Sequence, residues 1–427
     1  MVKLPKQVKE VVRRLKEKGF KAYASGICVR DALAGKEAAG WDISTDADLE
    51  NIREIFPECK VLSTRLGVVR IPAGDEEDAF DIDISTFRKA IGESGAVEFS
   101  DNIEDDLARR DFTVNAMADS GDKFVDPYNG KSDLQAKLVR AVSDPDAMFK
   151  KDPIRMLKAI RITAELDCDL TQDVYEAIKE NHLKLRELSS DKIRREFTAI
   201  MGADHPGKAL NMLVDTGLLG DIIGEDVYDH LTQREKSDLM IMCQNLDKTK
   251  PVASRRLGML IFILGEKKGM KVIEKLGFEG ELRQNLEDVA CDMPSFHYAQ
   301  MPQVYKKFIY EHAPMQRSEY LLNLQKAILI VFDYSIDTKI KSKMYMLGEF
   351  EQKGEPIFVE DLAIDANDLM EAGILDDPEE CDKMLHMLIE RLHIEPAKNT
   401  RKELFKLANT YKKNKLKAYL RGISWIH

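Results

Sequence analysis

Two stretches decide the fold: Ala24-Ser-Gly-Ile-Cys-Val-Arg-Asp31 and Gly40-Trp-Asp-Ile-Ser-Thr45. The first reads as a strand, a glycine turn and a helix start. The second reads as a strand carrying a carboxylate. A strand that feeds a glycine and then a helix offers backbone N–H groups to phosphates, and Arg30, one helical turn on, is placed to reach the same phosphates. The same pattern serves a plain strand–helix turn with a capping ion pair, and both readings stand. The position two before Asp42, where a partner carboxylate would sit, is Gly40.

Working outward, residues 5–19 carry Val8, Val11, Val12 and Leu15 at helical spacing and stop at Gly19. Short strands are predicted at 20–24, 42–44, 60–62 and 68–71, and a helix at 51–56. Phe80-Asp-Ile-Asp-Ile-Ser-Thr86 alternates strictly and is the clearest strand of the chain. The opening ~90 residues therefore mix helices and strands, an α/β or α+β head. After Asp144-Pro145 the patterning turns to period 3.6 at 147–164, 171–181, 191–201 and 206–216, with no convincing strand. Prolines punctuate the helical remainder. There is no fixed-period repeat.

With 427 residues, several domains are expected. Hydrophobic residues make up 44% and charged residues 33%, an ordinary soluble composition. No apolar run is long enough to span a membrane, and the N-terminus lacks the apolar core of a signal peptide. The six cysteines are scattered without a CxxC pair, which argues against disulfide and zinc frameworks and for a reduced, cytoplasmic setting. A net charge of −11 argues against indiscriminate nucleic-acid binding. Local basic patches remain compatible with RNA. The last 27 residues hold eight Lys and Arg against Glu403, interleaved with Tyr411, Tyr419 and Trp425.

Four constellations carry chemistry. The glycine turn is the first. Carboxylates are the second: nucleotidyl transfer with two Mg²⁺ ions needs clustered Asp or Glu, and Asp81 and Asp83 share one face of the 80–86 strand. Asp81 at a sheet edge facing solvent is an equal alternative. The third is Asp106-Leu-Ala-Arg-Arg-Asp-Phe-Thr-Val-Asn-Ala116, where Arg suits phosphates and Asp and Asn suit ribose hydroxyls. The fourth is Lys151-Asp-Pro-Ile-Arg-Met-Leu-Lys-Ala-Ile-Arg161. Asp152 and Arg155, three apart on a helix, share a face and have the donors and acceptors to read a base edge. A surface ion pair is the competing reading.

Taken in order, GxxxRD, WDIST, DISTFR, DLARRDFTVNAMA, VDPYNGKSDL, KDPIRMLKAIR and SSDKIRREF resemble the class II tRNA nucleotidyltransferase and poly(A) polymerase family, most of all bacterial CCA-adding enzymes. The resemblance covers residues ~5–220 and resumes weakly at 356–408. It implies an α+β fold: a polymerase-β-like head with a mixed sheet (1–142), then an all-helical neck that reads the base (143–222), body (223–350) and tRNA-binding tail (351–427). The implied activity is addition of CMP or AMP from CTP or ATP to a tRNA 3′ end, with release of pyrophosphate and a two-Mg²⁺ site.

Carried over by residue, the resemblance assigns Gly26, Ile27 and Arg30 to triphosphate, Asp42 and Asp83 to metal, and Arg110, Asp111 and Asn115 to phosphate and ribose. Asp152, Arg155 and Lys158 fall in the base-reading helix, with Arg161 supporting it. Asp81 is the acid placed to substitute for the one lost at Gly40. Lys412, Lys413, Lys415, Lys417 and Arg421 are the candidate tRNA-phosphate contacts of the tail, an exposed helix with a lysine face being the equal alternative. The chain departs from the family pattern at Ile27, Gly40, Lys151 and Lys158, and its segment between TFR and RRDFT is short. Loss of one metal carboxylate opens a second reading, a relative that binds tRNA without transferring nucleotides. A fused His-Asp hydrolase finds no support, since Asp229-His230 is in reversed order.

Overall fold

In a computed structural model the chain is described at all residues except 1, 39, 74–79, 92–96, 313–314, 333–337 and 421–427. The described residues fall into two compact units, 1–230 with 275–277, and 231–274 with 278–427.

The first unit opens with α1 (Lys6–Glu17), whose buried stripe is the predicted Val8, Val11, Val12 and Leu15. The strands are β1 (Ala22–Ser25), β2 (Trp41–Thr45), β3 (Lys60–Ser63), β4 (Val68–Ala73), β5 (Phe80–Thr86), β6 (Arg88–Ile91), β7 (Val97–Phe99), β8 (Ala118–Asp119) and β9 (Phe124–Val125). Seven of them form one mixed sheet in the order β3-β4-β5-β2-β1-β8-β9, while β6 and β7 pair as a separate ribbon. Strands β2 and β5 run parallel with Asp42 opposite Asp83. Strands β4 and β5 run antiparallel with Arg70 opposite Asp83.

Alternation assigns the two faces of this sheet. Ile43, Val69, Ile71, Ile82 and Ile84 are buried, in one core with the α1 stripe and with Ile52 and Phe56 at the end of α3 (Leu49–Ile55). The intervening positions, Asp42, Arg70, Asp81, Asp83 and Ser85, therefore project from the other face. Between β1 and β2 lies α2 (Ile27–Leu33), and after β7 comes α4 (Ile103–Ala108), capped by the Asn102 side chain on Glu104 N–H.

The remainder of this unit is mainly helical. The stretch 147–164, patterned as one helix, is two: α6 (Pro145–Lys151) and α7 (Ile154–Leu166), following α5 (Gly130–Gln135). Pro153 disfavours helical backbone at the residue before it, and Asp152 sits at φ −142°, ψ 83°. A strand exists where none was expected: Asp169–Leu170 pairs parallel with Leu138–Val139. The body was expected to begin at 223, yet residues 223–230 belong with the first unit. Arg186 salt-bridges Glu225 at 2.8 Å, and the Tyr228 ring lies against Gly220.

The second unit is helical throughout its described residues. Its last portion buries Leu369, Leu388, Ile389, Leu392, Leu404 and Ala408 in a core of its own. The terminal helix, Arg401–Leu420, carries Lys412 and Lys413 exposed. Lys415 and Lys417 lie on that helix with side chains outside the described set, and Arg421 lies outside the described residues.

Candidate active site

Asp42, Asp83 and Ser85 of the open sheet face line a cavity of about 340 Å³ with Ile27, Arg88, Arg109, Arg110, Asp111, Asn115, Arg155 and Lys158. Three separate sequence blocks thus meet at one place.

Asp42 is an exposed residue, while the protein around its carboxylate raises it above the ordinary range. Loss of solvation is the largest cause, Arg110 opposes it, and the neighbouring charge of Asp83 adds to it. Asp83 is held from the other side by Arg70, Nε to Oδ1 at 2.7 Å and Nη2 to Oδ2 at 2.9 Å. Asp81 shares the strand face but does not line the cavity; it is exposed and pairs with Arg70 Nη1 at 3.2 Å. The structure thus does not bring the expected substitute acid to Asp42: β5 carries Asp81 one pleat further along, beside the backbone at Gly40.

The cationic wall is organised by Asp106, which is fully buried. It accepts from Arg109 Nε and Nη2 at 3.0 and 2.8 Å, from Arg110 Nη2 at 3.2 Å and from the Arg88 backbone N–H at 3.2 Å. Burial works against its ionisation, but Arg110 and Arg109 outweigh burial and hold it below the usual carboxylate range. Arg110 also donates to Ser25 Oγ at 2.8 Å and to the Asn115 carbonyl at 3.3 Å. For Arg88 the charge of Asp106 is not enough to offset its surroundings. Burial, then the cations Arg109 and Arg110, push its guanidinium down to about 10. The Nε atoms of Arg88 and Arg110 are buried without a hydrogen-bond partner. Both residues also line the cavity, where their positive charge favours an anion. Sequence reading missed Arg88, although it closes the DISTFR motif, because residue order does not show which way that strand faces; Arg109 is one of the two adjacent arginines already read as suited to phosphates.

Asp111 accepts from Asn115 Nδ2 at 3.0 Å and from the Phe112 N–H at 2.8 Å, so the two polar side chains meet at the cavity wall. Arg155 lines the cavity and is steadied by Asp152 at 3.1 Å and by the Arg109 carbonyl at 3.4 Å; Lys158 lies one turn along. Asp152 itself is not among the lining residues.

Two further expectations, for Arg30 and Gly26, change. Arg30, expected at the phosphates, does not line the cavity. It is buried at 2% exposure, where it donates to Asp31 at 2.8 Å, to Glu165 at 3.0 Å and to Asn115 Oδ1 at 3.3 Å. The short helix α2 turns it inward toward α7, so it acts on the cavity only through Asn115. Gly26 does not present its N–H to the cavity, because that group donates to the Met117 carbonyl at 3.1 Å. Its role is space, as the Arg110 guanidinium fills the volume of a missing Cβ. Arg161 lies away from the cavity, joined to Glu196 at 2.8 Å and to Glu165. Ile27 does line the cavity, at 41% exposure.

Among the described residues no group of three or more His, Cys, Asp or Glu is placed to hold a metal ion. The donor set here is two hard carboxylates, Asp42 open and Asp83 clamped. That set fits a Mg²⁺ that keeps most of its ligands as water and phosphate oxygens. No helix among the described residues is long and apolar enough to cross a membrane.

A mixed sheet with two registered carboxylates facing an arginine wall defines a nucleotidyltransferase-type head. Residues 22–140 match the model of the poly(A) polymerase head domain, and 168–224 that of the probable RNA- and SrmB-binding site of polymerase A. Those two stretches of the chain thus resemble the head and RNA-binding domains of the poly(A) polymerase family. It is 35% identical over 260 residues to the CCA-adding enzyme of Lactobacillus helveticus, and 29% identical over 260 residues to that of a Geobacillus species. Each match covers 60% of this chain and 62% of the relative's own length. The fold matches the crystal structure of the Bacillus stearothermophilus CCA-adding enzyme in complex with CTP, with a TM-score of 0.78 at 22% identity over 96% of this chain and 98% of that one. It also matches the Thermotoga maritima CCA-adding enzyme complexed with tRNA, with a TM-score of 0.63 at 18% identity over 95% and 94%.

Proposed function

We propose that this chain is a tRNA 3′-end nucleotidyltransferase that adds CMP or AMP from CTP or ATP and releases pyrophosphate. The observation that carries the reading is the meeting of Asp42 and Asp83 with Arg88, Arg109, Arg110, Arg155 and Lys158 around one cavity. The guanidinium groups hold the triphosphate and take up charge developing on the leaving pyrophosphate. Asp111 and Asn115 hold the ribose. Arg155, fixed by Asp152, faces the base together with Lys158. The RNA 3′-hydroxyl attacks the α-phosphate in line, beside Asp42. Asp42 and Asp83 would hold Mg²⁺, which supplies charge neutralisation and activation of the hydroxyl. The segments 143–230, 231–350 and 351–427 serve as neck, body and tail, with Lys412 and Lys413, and Lys415, Lys417 and Arg421 beyond them, contacting tRNA phosphates.

A second reading, tRNA binding without transfer, draws on Gly40 and on the clamp of Arg70 across Asp83. One experiment separates them. A tRNA transcript lacking its 3′ end is incubated with labelled CTP and ATP separately, with Mg²⁺ and with Mn²⁺. Incorporation that Asp42→Ala abolishes supports transfer. Binding of the transcript with no incorporation under any condition supports the second reading.

A further inference from the structure

Arg70, Asp83 and Asp42 stand in one row across three neighbouring strands, each opposite the next in register. Arg70 takes both oxygens of Asp83 at 2.7 and 2.9 Å and reaches Asp81 with its third nitrogen at 3.2 Å. A guanidinium matches a carboxylate fork to fork and stays charged at every working pH. At position 40 there is no side chain to rebalance this, since the space beside the Asp81 backbone is left by a glycine. Of the two cavity carboxylates, then, one is already neutralised from within.

We propose that Arg70 is a resident counter-ion of Asp83 that competes with divalent metal for that carboxylate, so that the nucleotide-free head binds divalent ions weakly through Asp42 alone. A metal ion then enters chiefly with the triphosphate, whose oxygens supply the ligands that the protein withholds. The inference rests on the nucleotidyltransferase reading for its place in a reaction. The competition between Arg70 and metal stands on geometry alone.

The test is a Mn²⁺ titration of the full chain, followed by electron paramagnetic resonance of the free ion, with neither nucleotide nor RNA present. Arg70→Gln binds Mn²⁺ about tenfold more tightly than the wild type, the scale on which groups around metal ligands tune affinity. The double variant Arg70→Gln with Asp83→Asn loses that gain. Equal affinity in the wild type and Arg70→Gln overturns the proposal, as does a gain that survives Asp83→Asn. If Arg70→Gln fails to fold, Arg70→Lys keeps the charge but not the fork and shows a smaller gain; wild-type affinity in that variant also overturns the proposal. Because no transfer is measured, a chain inactive on tRNA still gives a clear answer.

Discussion

The Arg110 guanidinium occupies the space of a Cβ at Gly26: a methyl group built there would lie 2.2 Å from Arg110 Nη1. Gly26 also holds φ +88°, ψ −137°, a region open essentially to glycine alone. Gly26→Ala is expected to cost about 1–3 kcal/mol from backbone strain and to displace Arg110 from Ser25 and Asp106. Thermal unfolding measures the first effect. Fluorescence titration with CTP measures the second, as weakened binding.

Asp106 is the keystone of the arginine wall. Asp106→Asn leaves Arg109 and Arg110 without their shared acceptor, and removing one partner of a buried ion pair costs about 3–5 kcal/mol. Because the folded carboxyl is held below its ordinary value, its contribution is present at neutral pH. It is lost as pH falls below the unfolded carboxylate value of about 3.9 and through the lower folded one. Urea unfolding at neutral pH and near pH 3 checks this: the difference between wild type and Asp106→Asn narrows on the acid side.

Asp42 has the opposite sign. Its folded form is raised, so ionised Asp42 opposes folding at neutral pH, and the favourable contribution is confined to acid. Asp42→Asn is expected to raise the melting temperature at pH 7.5 while abolishing nucleotide incorporation. A fall in melting temperature would remove the argument that solvation and the charge of Asp83 set its state.

Arg88 is crowded by Arg109 and Arg110, carries a buried Nε without a partner and lines the cavity. Arg88→Met removes a like charge from the fold and a phosphate donor from the cavity. Stability is expected to hold or rise. CTP affinity is expected to fall about tenfold to a hundredfold, the range for a hydrogen bond to a charged group. Calorimetric titration at two salt concentrations reads the loss together with a shallower salt dependence.

Arg30 separates structure from binding. With its charge enclosed by Asp31 and Glu165, Arg30→Met is expected to destabilise the fold by about 3 kcal/mol or more. At temperatures where the variant is folded, CTP affinity changes less than in Arg88→Met. The larger loss of affinity in Arg30→Met would return Arg30 to direct phosphate contact.

Much of this was legible in the sequence. The stripe of α1, the alternation of β5 and the sheet strands around them follow from local periodicity, which needs only neighbouring residues. The break at Asp152-Pro153 was equally local, but the apolar pattern ran across it and hid it. The i, i+2 spacing put Asp81 and Asp83 on one face, yet spacing along a strand says nothing about which neighbour lies across it. Arg70 stands opposite Asp83 through strand pairing, and no pattern within either strand announces that.

By itself, the sequence determined the class of the head, the identity of Asp42 and Asp83, the arginine-rich block after them and the absence of an acid at Gly40. These are matters of residue type and order. Tertiary structure alone decided which cations face the cavity and which are enclosed. Arg30 and Arg88 are the same residue type in equally persuasive motifs, but α2 turns one inward onto Glu165 while β6 leaves the other crowded beside Arg109 at the cavity. The physical reason is that a side chain's charge is fixed by its chemistry, whereas its partners and its solvation are fixed by what the fold packs against it.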